Sequence, residues 1–112
     1  MDKETQEKVS KLQMMEQNLQ GLLAQRQQFS SQLAEAETAI KELETTEPVD
    51  KLSGNILVKT SPEKLKLDLN LKKEIFELRI KSLEKQENQV RERSAALKEE
   101  VMKSISGEKN HE

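Results

Sequence analysis

The chain has no cysteine, no tryptophan and no tyrosine, and only one histidine, three glycines and two prolines among its 112 residues. Each shortage removes a class of chemistry. Without cysteine there is no disulfide framework and no thiolate nucleophile. With His111 alone near the C-terminal end, the usual zinc ligand sets and the histidine-based triads have no members, and His111 reads as a solvated tail residue. Gly21, Gly54 and Gly107 stand far apart, so no glycine-rich loop can cradle a phosphate. Two aromatic residues, Phe29 and Phe76, are too few for the core of an ordinary compact domain. No apolar run approaches the length of a membrane span, and the opening "MDKETQEKVS" lacks the character of a signal peptide. No enzyme activity, cofactor or metal is expected.

Charge and helical periodicity take the place of these features. Charged residues make up 36% of the chain, with 19 basic and 21 acidic side chains and a net charge of −2. The two signs are interspersed, so no basic face is available to follow a nucleic-acid backbone. The absence of cysteine fits a reducing, cytoplasmic setting. Composition this polar is also that of disordered chains, but the spacing of the apolar residues argues for long helices.

From Leu12 the series Leu12, Met15, Leu19, Leu22, Arg26, Phe29, Leu33, Ala36, Ile40, Leu43 steps by three and four without a break. This is a coiled-coil seam with one polar member, Arg26. It predicts a helix over about 3–45, roughly 60 Å long, which is too narrowly amphipathic to stand alone. Its partner is a second helix over about 62–106. There Ile80, Leu83, Glu87, Val90, Ser94, Leu97 and Val101 repeat the spacing. Ser61 and Pro62 give a start signal. Gly107 is the expected stop, followed by a disordered tail, 107–112. The connection is too short for a parallel return, so the helices should pair antiparallel. Two registers, seven residues apart, fit the loop. One sets Arg26 opposite Val90 and Phe29 opposite Glu87. The other sets Arg26 opposite Leu83 and Leu22 opposite Glu87. In both, Arg26 and Glu87 lie in adjacent layers and should form an ion pair that opposes other registers.

"LKLDLNL" (65–71) alternates like a strand, yet lacks β-branched residues and runs into a helical pattern. Read as helix, it places Leu67, Leu71, Ile75 and Leu78 in a second stripe outside the seam. That end of the chain therefore buries surface against something besides the first helix.

Between the helices, "VDKLSGNILVKT" (49–60) predicts a β-hairpin over about 48–60, turning at Ser53-Gly54-Asn55. Its second strand, Ile56-Leu57-Val58, is apolar on both faces, and Val49 and Leu52 add to it. A lone hairpin is marginal in water and has two open edges. Either it caps its own helices, or copies pair edge to edge in an inter-subunit β-barrel against which the second stripe packs. The fold class is thus mainly α: one domain over 1–112, a long antiparallel two-helix coiled coil with a β-hairpin at the connecting end.

This order of parts resembles the beta class of prefoldin subunits, the archaeal and eukaryotic co-chaperone also called GimC. "SGNILVKT" (53–60) is similar to the family's turn and aliphatic-Val-Lys strand, and "LEKQENQVRER" (83–93) to its second helix. Asp50 departs from the pattern, since many relatives carry an aromatic before the lysine. A single hairpin, where the alpha class has two, points to beta. The resemblance implies a hexamer of two alpha and four beta subunits joined by their hairpins, here Val49, Leu52, Gly54, Ile56, Leu57 and Val58. It also implies ATP-independent capture of unfolded proteins at the coiled-coil tips and delivery to a group II chaperonin. Near the chain ends Val9, Leu12, Met14, Met15, Leu97, Val101, Met102 and Ile105 are the candidate client-binding residues. Methionine adapts to irregular partners, and Gly21 weakens the first helix on the way to the tip. The competing reading is a coiled-coil adaptor or tubulin-cofactor-like binding protein that does not form a hexamer.

Overall fold

The computed structural model describes residues 1–45 and 61–110, with side chains through residue 107. It contains two helices, α1 (Lys3–Thr45) and α2 (Pro62–Asn110), and no strand among the described residues. The expected hairpin, with Val49, Leu52, Gly54, Ile56, Leu57 and Val58, lies outside them.

Each helix starts on a capping residue. The Thr5 amide donates to Asp2 Oδ1 at 2.7 Å, satisfying a backbone donor that has no partner inside the helix. At the start of α2 the Lys64 amide donates to Ser61 Oγ at 3.1 Å, with Pro62 as the first helical residue. Glu4 and Glu63 stand in the two first turns, where their charge suits the helix dipole. "LKLDLNL" is helical, because capping and the downstream periodicity outweigh a short alternating pattern.

Gly107 does not end α2. The helix continues to Asn110, and no glycine has positive φ. A terminating glycine works by adopting the left-handed conformation. In ordinary helical geometry Gly107 costs only about 1 kcal/mol relative to alanine, too little to stop an established helix. The expected disordered tail is therefore helical through residue 110.

The chain associates as two units, Met1–Arg26 with Ser82–Glu112, and Gln27–Lys81. In the first, Lys8 Nζ lies 4.0 Å from Glu100 and Arg26 Nε lies 2.7 Å from Glu87, so its helical segments run antiparallel. Leu22, Leu83 and Val101 are buried in it, with Leu12, Met15, Leu19, Val90, Ser94 and Leu97 half-buried. In the second, the rings of Phe29 and Phe76 sit 6.2 Å apart and Lys66 Nζ lies 3.1 Å from Glu44, again antiparallel. Ala36 is buried there, and Leu33, Ile40, Leu43 and Ile80 are half-buried.

These contacts choose the register. Where Phe29 faces Glu87, the two phenylalanines would be offset by about 16 Å along the helix axis; where Phe29 faces Ile80, by about 6 Å. The ring separation and the Lys66–Glu44 pair select the latter. In the first unit the Lys8–Glu100 pair requires the same choice, since the alternative separates those residues by about 12 Å. Leu22 therefore layers with Glu87, and Arg26 with Leu83.

The seams also extend beyond the apolar series. Thr5 is 1% exposed and Lys8 half-buried, continuing the spacing backwards from Leu12. Phe76, Lys73 and Leu69, all half-buried, do the same from Ile80.

Candidate functional site

Three surfaces stand out among the described residues. The first is the polar layer of the seam. Glu87 is 2% exposed; its Oε2 accepts a hydrogen bond from Arg26 Nε at 2.7 Å, and its Oε1 lies 3.9 Å from Arg91. The expected ion pair is present. A buried carboxylate needs such a donor because desolvation otherwise penalises its charge. The hydrogen bond to Glu87, reinforced by the charges of Glu87 and Glu84, raises the Arg26 pKa further above its ordinary value. Arg26 reaches Glu87 from the edge of the seam with its side chain 31% exposed, so solvent screens the pair from one side. Both candidate registers keep the two residues adjacent. The pair is therefore compatible with either of those two registers and does not choose between them.

The second surface is the stripe on α2. Leu67, Leu71, Ile75 and Leu78 are 60%, 50%, 53% and 67% exposed, and Leu65 flanks them at 40%. At about 100° per residue, the seam positions Leu69, Lys73, Phe76 and Ile80 centre on one side of α2 and the stripe centres on the opposite side. α1 of the same chain occupies the seam side and leaves the stripe in solvent. Isolated exposed leucines need no explanation, but a row of four on one helix face marks an interaction surface.

The third surface lies in the unit that holds both chain ends. Met14 and Met102 are 68% and 64% exposed. Val9 and Ile105 are half-buried beside the seam, Leu12, Met15 and Leu97 half-buried within it, and Val101 buried. Of the eight candidate client-binding residues, two are open and six are wholly or partly covered in the closed pair. Where Met15 layers with Ser94 the seam is thin. A groove opens there, lined by Met15, Leu19, Val90, Ser94 and Ala95 and edged by Glu16, Arg91 and Lys98. The small residues at 94 and 95 were the available signal for it. Gly21 is helical, and a side chain added there would meet nothing within 4 Å.

Among the described residues no group of three or more His, Asp or Glu side chains could hold a metal. No helix among them is long and apolar enough to cross a membrane.

Comparison with known proteins agrees with this architecture. The model of the prefoldin subunit family matches residues 6–108. The prefoldin subunit beta of Archaeoglobus fulgidus is 39% identical over 106 residues, which is 92% of this chain and 91% of that one. That of Sulfurisphaera tokodaii is 37% identical over 103 residues, 88% and 81% of the two chains. That of Methanospirillum hungatei is 31% identical over 107 residues, 93% and 89%. No solved structure matches. A helical pair with capped starts and heptad seams, matched by the family from residue 6 to residue 108, belongs to the prefoldin subunit family.

Proposed function

We propose that this chain is the beta-type subunit of a cytoplasmic prefoldin, an ATP-independent chaperone that holds unfolded proteins and passes them to a group II chaperonin. It assembles with an alpha-type partner as two alpha and four beta subunits, joined through the segment that holds Val49, Leu52, Gly54, Ile56, Leu57 and Val58 in a shared β-barrel. Unfolded proteins are held near the chain ends by Val9, Leu12, Met14, Met15, Leu97, Val101, Met102 and Ile105. The observation that carries the reading is the family match across nearly the whole chain. The exposed Met14 and Met102 support it, since flexible thioethers suit partners of no fixed shape. Splaying of the last turns would add the seam residues to the same surface.

The test is co-expression with a candidate alpha subunit, followed by native mass and suppression of aggregation of a chemically denatured protein. A hexameric mass with suppression is expected. Leu57→Asp should break the assembly with helical content retained. Removing 1–10 together with 102–112 should leave the mass intact and abolish capture. A monomer or simple dimer that ignores the alpha partner would instead mark a coiled-coil adaptor.

A further inference from the structure

We propose that the leucine stripe of α2 seats the α2 stripe of a second copy of this chain, with the two helices parallel and in register. Two observations meet at this face. The first is its position, opposite the seam and uncovered by α1. Leu71, Ile75 and Leu78 step by four and three, the spacing of three successive core positions in a two-helix seam. Asp68 and Ser82 stand at the next core positions and bound it. Leu65 and Leu67 widen it at its N-terminal end.

The second observation is charge. The residues that flank the core of a helix pair decide its orientation. Here Glu74 and Lys81 lie on one flank, and Lys72 and Arg79 on the other. Glu74 and Arg79 are exposed, and neither forms an ion pair among the described residues. In a parallel pair, a flanking residue of one helix meets the opposite flank of its partner five residues further on. Glu74 therefore meets Arg79 of the second copy, twice, across the two-fold axis. An antiparallel pair brings like flanks together, so that what Glu74 gains from Lys81 of the other copy is offset by Lys72 facing its Arg79, whereas the parallel pair has the attraction without the repulsion. The stem of Lys72 covers Leu67 of the other copy, with its ammonium in water. The surface is self-complementary, as a two-fold interface requires. Its three core layers make the contact short, so it is best read by trapping. It does not rest on the chaperone reading, because client capture is not its readout.

The chain has no cysteine, so single cysteines report cleanly. Leu71→Cys and Leu78→Cys are made in the full chain, with Lys72→Cys as the flank control, and oxidised at micromolar concentration. Retained helicity is checked by circular dichroism. Homodimeric disulfides should form at 71 and at 78, and at least about fivefold more slowly at 72. In the Leu71→Cys background, Glu74→Arg or Arg79→Glu alone should slow the disulfide about five- to tenfold, as expected for two exposed ion pairs. The double exchange should restore it. The proposal is overturned by any of the following: a disulfide that forms only when the 71 and 78 variants are mixed; equal rates at 71 and 72; no rescue by the double exchange; or stripe cysteines that never self-link and are shielded only when an alpha-type subunit is added.

Discussion

Replacing Glu87 by leucine, Arg26 by leucine, and then both, separates the cost of a buried charge from the worth of an ion pair. Glu87 is 2% exposed, layers with Leu22 and sits one turn from Leu83 on its own helix. Arg26→Leu strands that carboxylate. A buried charge deprived of its partner costs about 3–5 kcal/mol. Arg91 remains 3.9 Å away and water reaches the seam edge, so the penalty on Glu87 should fall to about 2–3 kcal/mol. Glu87→Leu removes the charge, completes an apolar layer with Leu22 and Leu83, and leaves the Arg26 side chain free to turn outward. It should be between neutral and about 2 kcal/mol stabilising. The double variant should match Glu87→Leu closely. The assay is urea unfolding followed at 222 nm, at one protomer concentration throughout, because association shifts apparent stability. The cycle should return a coupling energy of about 2–3 kcal/mol. Equal losses from the two single changes, or a coupling indistinguishable from zero, would refute the reasoning that Glu87 is held in the seam by Arg26.

Gly21→Ala should raise stability by about 0.5–1 kcal/mol, since the residue is helical and the added methyl meets nothing; a loss in thermal unfolding would reveal a strained site. Leu83→Ala should cost about 2–3 kcal/mol, the lower part of the range for buried leucines, because a two-helix seam collapses readily. The hydrogen bonds from Thr5 hold the Asp2 carboxyl below its ordinary value, so its capping contribution is present above about pH 4 and is lost as pH falls through the folded-state value. The Thr5 amide shift should report this in an NMR titration, and a midpoint at or above the ordinary aspartate value would contradict it. Met14→Gln with Met102→Gln should weaken client capture and leave helicity and assembly mass unchanged; full aggregation suppression by that variant would remove the exposed methionines from the mechanism.

Much of this arrangement is legible in one dimension because helix geometry is strict. Residues spaced by three and four must share a face, and every seam residue from Leu12 to Leu43 and from Ile80 to Val101 is buried or half-buried. The second stripe follows from the same rule. The extensions through Thr5, Lys8 and Lys73 fall on polar residues, which carry no apolar signal; helical position alone places their side chains in the seam. Gly107 shows the opposite limit. Its residue type permits a stop, but stopping depends on a backbone conformation that spacing does not report.

The sequence by itself determined that there are two helices, where they begin, which faces they bury and that Arg26 and Glu87 would meet. The tertiary structure alone decided the register. A heptad repeat returns every seven residues, so it cannot say which turn of one helix meets which turn of the other. Contacts between side chains far apart in the chain make that choice, here Phe29 with Phe76, Lys66 with Glu44 and Lys8 with Glu100. Each depends on a residue that does not repeat.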